Sequence, residues 1–142
     1  MHLEKSFTLL DPSDTSQTLK NVLSWVEAFL SRLPVTEETR WAPLLCVEEF
    51  VTNLLRYGAL THGSQLRIEL RVEQQDQMTI TIVDTGKFFD INKHVVSPNP
   101  NRIGGGGIPL LRGLAKIRQW KDHHLNVTQL TCKLTPLGQE SR

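Results

Sequence analysis

Hydrophobic positions along the chain change period several times, and each change marks an element. Between residues 15 and 33, Leu19, Val22, Leu23, Val26, Phe29, Leu30 and Leu33 recur at three- and four-residue steps. That spacing lays one apolar stripe along an amphipathic helix. Pro34 stops it, and Thr36-Glu37-Glu38-Thr39 offers an N-cap and early acidic residues for a second helix. The second helix is expected to run to about Tyr57, with Gly58 as its C′ residue. Ahead of the first helix, residues 3–10 read as a strand ended by the turn signal Asp11-Pro12-Ser13-Asp14. Residues 66–72 and 78–83 alternate apolar and polar positions, and the polar residues 73–77 between them suit a hairpin loop, so this pair is antiparallel. A third helix is expected over residues 108–120, with Leu110, Leu111, Leu114 and Ile117 on one face. Short strands near 120–124 and 127–134 close the chain. This order predicts an α+β two-layer sandwich, a mostly antiparallel mixed sheet with its helices on one face.

Composition narrows the classes. The chain has 142 residues, enough for a single domain spanning 1–142 with its own core. Hydrophobic residues at 39% and charged residues at 22% exclude disorder as the whole answer. A net charge of +1 gives no electrostatic case for direct nucleic-acid binding. The only cysteines, Cys46 and Cys132, sit in apolar runs and read as reduced core thiols, since neither a disulfide framework nor a zinc site fits two isolated residues. Residues 1–7 carry charges where a signal peptide has an apolar core, and no apolar run approaches the roughly 20 residues of a membrane span. A cytoplasmic location away from membranes is the expectation.

Three segments carry candidate chemistry. In the second helix, Glu49 and Asn53 are four apart and share a face with Arg56, opposite an apolar arc of Leu44, Val47, Phe50, Val51 and Leu54. A solvated polar face is the ordinary reading of such a pair. A carboxylate and a carboxamide on adjacent turns also suit a magnesium phosphate site, the amide oxygen as a hard ligand and the carboxylate as a proton acceptor. Next, Asp84-Thr85-Gly86 stands at the exit of a strand, either as a turn start or as an acceptor beside a glycine that lets a planar ligand approach the backbone. Finally, Gly104, Gly105, Gly106 and Gly107 end a long loop that starts near Asp84 and leads into the third helix, with Pro109 in its first turn. Consecutive glycines are costly in chain entropy and can aim N–H groups at an anion, or serve as a hinge. No Gly-Lys-Ser/Thr follows, so this is not a P-loop, and the βαβ setting of a dinucleotide fingerprint is missing.

Taken in order, the three segments resemble the ATPase domain superfamily shared by DNA gyrase, the ATP-dependent heat-shock chaperone, sensor histidine kinases and MutL. Glu49-Phe50-Val51-Thr52-Asn53 resembles its N box, Asp84-Thr85-Gly86 its first glycine box, and Gly105-x-Gly107 its second, the likeness covering about residues 3–134. Within it the chain is most similar to bacterial anti-sigma factors that are serine protein kinases, through Glu-x-x-Thr-Asn at 49–53 and Asp-x-Gly-x-x-Phe-Asp at 84–90. The resemblance implies ATP and Mg2+ as cofactors. It makes Asn53 the magnesium ligand, Glu49 the catalytic base, and Asp84, supported by Gly86, the acceptor for the adenine amino group. Residues of about 90–107 become the ATP lid, with Gly104–Gly107 folding over the phosphates, and Thr128 a last-strand threonine near the adenine. The implied partners are a sigma factor and a small anti-anti-sigma antagonist, with pairing into a homodimer. The chain departs from the family pattern at Val127, where glycine is usual, at Tyr57 in place of histidine, at Pro109 and at Gly106. Those last two bear on the lid, so a non-catalytic ATP-binding module that sequesters a partner stands as the alternative. A histidine kinase fragment is disfavoured, because no dimerisation helix with a phosphoacceptor histidine precedes the domain.

Overall fold

Alternating apolar residues build a five-stranded sheet in a computed structural model of the chain, which describes residues 1–9, 15–61, 63–74, 76–91 and 107–138, with the side chains of 107–110 left out. The strands are β1 (His2–Thr8), β2 (Gln65–Glu73), β3 (Gln77–Asp84), β4 (Lys116–Asp122) and β5 (Leu125–Lys133), in the spatial order β1-β2-β3-β5-β4. The 66–72 and 78–83 hairpin forms as the alternation requires, and Ile68 faces Ile82 while Leu70 faces Ile80. The sheet is not mixed: every strand pairing among the described residues is antiparallel.

Period-two alternation sorts the two faces. Leu66, Ile68, Leu70, Met78, Ile80, Ile82, Leu130 and Cys132 are buried on one side. Arg67, Glu69, Arg71, Thr79, Thr81, Gln129 and Thr131 occupy the other, which is polar. Helices α1 (Ser16–Ser31) and α2 (Trp41–Tyr57) supply the other half of the core through Val22, Val26, Phe29, Leu30, Cys46, Val47, Phe50, Val51 and Leu54. The first helix follows its predicted stripe. The second begins later than expected, since Glu38–Arg40 form one 3-10 turn before it.

Two local expectations fail. Gly58 caps α2 at φ −78°, and the left-handed residue is Ala59 at φ 50°. Gly58 is needed for space instead, because a Cβ there would lie 2.5 Å from the backbone carbonyl oxygen of Leu54. The third helix, α3, spans only Gly107–Leu114, and Lys116 already belongs to β4. Ile117 satisfies both periods: on a helix it would follow Leu114 by three residues, whereas in β4 it faces Leu130. Pairing with β5 satisfies the backbone of residues 116–122, and the strand prevails. Residues 92–106, most of the expected lid, lie outside the described residues.

Candidate functional site

Strand β3 ends on Asp84, and β5 sets Asn126 directly across from it. Both share the helix-covered parity of Ile82 and Thr128, and each is only 3% exposed. A buried carboxylate is costly unless donors meet its charge. The backbone N–H of Gly86 and Nδ2 of Asn126 both donate to Oδ1 of Asp84 at 2.9 Å. Asn126 Nδ2 donates again to the Gly86 carbonyl at 2.8 Å, which closes a small ring of three residues. Burial pushes the Asp84 carboxyl above its ordinary value of 3.8, and the hydrogen bonds from Asn126 and Gly86 offset part of that rise. Both donors land on Oδ1, and no hydrogen-bond donor among the described residues reaches Oδ2.

Packing by itself requires glycine at position 86. A Cβ at this position would collide with the Gly58 carbonyl at the end of α2 and lie 2.7 Å from Cδ2 of Leu60. The α2 terminus therefore docks against the Asp84 turn backbone to backbone, and Lys87 N–H donates to the same carbonyl at 2.6 Å. Gly86→Ala is expected to destabilise the fold by about 1–3 kcal/mol through overpacking, measured by urea denaturation.

That docking orients α2 along the sheet. Near its start, Cys46 Sγ lies 3.9 Å from Sγ of Cys132, at the opposite end of the β3–β5 ladder from Asp84. Both thiols are free and buried, and contact with Cys132 together with burial pushes the Cys46 thiol upward, which suits inert core residues. The helix thus points its C-terminus at the Asp84 turn, and Asn53 and Glu49 lie about 8 and 13 Å back along its axis from Gly58. Asn53 is not on a solvated face. It is 2% exposed, and its Nδ2 donates to the Glu49 carbonyl at 2.7 Å. With the nitrogen committed to the helix, the carboxamide presents Oδ1, the atom a hard cation would take. Glu49 is half-buried, and burial first, then the Glu48 charge, raises its pKa against the opposing pull of Arg56. Tyr57, one turn on from Asn53, stacks on Phe89 with ring centroids 5.7 Å apart.

The same parity brings Thr128 into the row next to Asp84 and Asn126, 2% exposed, between Ile82 on β3 and Gln119 on β4. Gln119 Nε2 donates to the Thr128 hydroxyl at 3.1 Å and to the Phe89 carbonyl at 2.7 Å, and its Oε1 accepts from Ile91 N–H at 2.9 Å. Arg112 of α3 donates to the Ile91 carbonyl at 2.7 Å. One carboxamide therefore ties the segment after Gly86 to the sheet, and Gln119→Ala is expected to cost about 2–4 kcal/mol of stability in urea denaturation. Of the predicted glycine run, Gly107 is the first residue of α3, while Gly104, Gly105 and Gly106 lie outside the described residues. Sequence reasoning missed Asn126, Gln119 and Arg112. The first was within reach, because Asn126, Thr128, Leu130 and Cys132 have one parity and a polar residue at an inward position is itself a signal.

Among the described residues, Asp84, Gly86 and Thr128 lie at one end of the sheet, and Asn53 and Glu49 lie on the helix that packs over it. This is the setting in which the chain matches known proteins. The model of the histidine kinase-like ATPase domain matches residues 12–132, and the chain belongs to that family. Membership implies ATP as the ligand, typically with Mg2+. Among solved structures it is similar to the histidine kinase domain from the Erythrobacter litoralis EL346 blue-light activated histidine kinase, at 18% identity and a TM-score of 0.52, over 83% of this chain and 60% of that one. The Acinetobacter baumannii histidine kinase AdeS matches at 14% identity and a TM-score of 0.50, over 93% and 68% of the two chains. The mycobacterial sensor histidine kinase MprB matches at 9% and 0.51, over 96% and 100%. At these identities the likeness is one of fold. No curated protein matches the chain at a significant level. No helix among the described residues is long and apolar enough to cross a membrane.

Proposed function

We propose that the chain binds Mg-ATP at the Asp84 end of the sheet and transfers the γ-phosphoryl group to a serine or threonine of a small antagonist protein. The observation that carries the reading is the Asp84 carboxylate, buried at 3% exposure and held through Oδ1 alone, with Oδ2 left to accept from an exocyclic amino group. An acceptor fixed in this way reads an adenine by direct hydrogen bonding. Gly86 supports that role by giving its N–H to the carboxylate. Thr128 lines the neighbouring row, and Gly104–Gly107 supply the N–H-rich stretch suited to phosphates.

The donor set fits a magnesium ion. Asn53 would hold it through Oδ1, and the ion when bound neutralises phosphate charge. Glu49 would take the proton of the attacking hydroxyl as its oxygen bonds to the γ-phosphorus and the bond to the leaving ADP oxygen breaks. Its raised pKa makes the carboxylate a better base. Phosphorylation of the antagonist would free the chain to hold a sigma factor, so two protein interfaces alternate in one cycle, in a cytoplasmic protein that pairs as a homodimer.

A non-catalytic ATP-binding module is the second reading, favoured by Gly106 within the expected lid and Pro109 just after it. Incubation with radiolabelled ATP and candidate antagonist proteins separates the two. The kinase reading expects label on an antagonist serine or threonine, and a chain that binds ATP but labels no antagonist contradicts it.

A further inference from the structure

The Asp84–Asn126 pair holds one atom that the proposed adenine contact leaves unused. Asn126 spends its whole donor capacity inside the protein, with Nδ2 bonded to Asp84 Oδ1 at 2.9 Å and to the Gly86 carbonyl at 2.8 Å. Its Oδ1 is buried without any hydrogen-bond partner. Among the described residues the only other buried side-chain polar atom in that state is Nε of Arg40, whose guanidinium is satisfied elsewhere through Nη2. A buried acceptor left alone is a standing cost, and native proteins retain one chiefly where a ligand or ordered water completes it. This one is the direct cross-strand neighbour of Asp84 and projects from the same sheet face.

We propose that Asn126 is a second specificity-determining residue for the base, its Oδ1 accepting from the same exocyclic amino group that Asp84 Oδ2 reads. The inference rests on the adenine-nucleotide reading given above. An amino group on C6 of a purine carries two N–H donors, and the pair presents two acceptor oxygens, one from each strand. A 6-oxo purine presents an acceptor at that position instead. It finds no donor here, because Gly86 N–H and both hydrogens of Asn126 Nδ2 are already spent on Asp84 Oδ1 and the Gly86 carbonyl. The site therefore selects a 6-aminopurine by two acceptors rather than one, and rejects a 6-oxopurine by leaving three acceptors facing one another.

Calorimetric titration of the full chain with Mg-ADP and with Mg-IDP, its 6-oxo counterpart, tests this in the wild type and in Asn126→Ala. The wild type is expected to prefer ADP by about a hundredfold or more. Asn126→Ala is expected to weaken ADP about tenfold and to leave IDP unchanged or slightly tighter, so that the preference shrinks by about tenfold. Should the alanine variant fail to melt cooperatively, Asn126→Ser is titrated with the same expectation. If ADP and IDP weaken by the same factor, Asn126 has no part in reading the amino group and the proposal is overturned. An unchanged ADP-to-IDP ratio with unchanged affinities overturns it as well, the orphan oxygen then holding nothing but water. A wild type that binds neither nucleotide removes the adenine reading itself, an outcome distinct from selective binding that ignores Asn126.

Discussion

Asp84→Asn is expected to weaken Mg-ATP and Mg-ADP by about a hundredfold or more while leaving the fold intact. The substituted carboxamide could still accept from Gly86 N–H and Asn126 Nδ2 through its carbonyl oxygen, as the Asp84 carboxylate does at 2.9 Å. Its amide nitrogen would then occupy the place of Oδ2 and face the adenine amino group donor to donor. The lost charge-assisted bond and the new unpaired donor each cost about 1.5–3 kcal/mol, which together account for the loss. Stability should move the other way. Burial raises the folded-state pKa of Asp84 above 3.8, so the ionised group is penalised in the folded chain. The penalty grows as pH rises from the ordinary aspartate value to the raised one, and is complete above it. At neutral pH the nucleotide-free variant should melt at or above the temperature of the wild type. A variant that loses affinity only because it unfolds would melt lower, and the two causes separate in one thermal scan. The same pKa implies that ADP affinity of the wild type falls on acidification sooner than an unperturbed carboxylate would allow, because only the ionised form presents two acceptor oxygens.

Glu49→Gln carries the second large effect. Transfer to the antagonist is expected to fall by about 10²–10⁴-fold, the usual contribution of a positioned general base. Nucleotide affinity should change by no more than about threefold, a shift of roughly 0.6 kcal/mol. That split follows from the helix. The contact between this residue and Asn53 runs through the backbone carbonyl of Glu49, which glutamine keeps. The carboxyl itself is half-buried, and its proton affinity is raised by burial and by Glu48. Rates measured against pH add a check: the wild-type rate should fall on acidification through the raised carboxyl pKa, and the residual glutamine rate should not show that limb. Equal transfer by Glu49→Gln and wild type would remove the base role.

Much of the fold was legible because hydrophobic period is a physical constraint. The α1 stripe and the β2–β3 hairpin follow directly from which faces must be buried. The misjudged elements lie where two periods agree. Leu114 and Ile117 continue a helical face and also begin a strand, and only the availability of β5 as a pairing partner decides between them. The candidate site's residues stood out in the sequence, but their surroundings were misread. Glu49 and Asn53 were visible as a four-residue pair, yet the helical wheel set Asn53 among solvated residues. Its burial depends on how α2 lies over the sheet, and that angle is fixed by two glycine backbones, Gly58 and Gly86, meeting at the Asp84 turn. Asp84 looked like a turn residue with a glycine beside it. The partner that makes it a fixed acceptor, Asn126, is far away in sequence and arrives only through the β3–β5 register.

Everything proposed for this chain depends on whether an adenine nucleotide occupies the Asp84 end of the sheet. Calorimetric titration of the wild-type chain with Mg-ADP, repeated with Asp84→Asn, measures that directly. The account predicts saturable binding to the wild type with a dissociation constant on the order of micromolar, about −8 kcal/mol, and its loss in the folded variant. Absence of binding to the wild type at millimolar ADP, or equal binding by the two proteins, would contradict it.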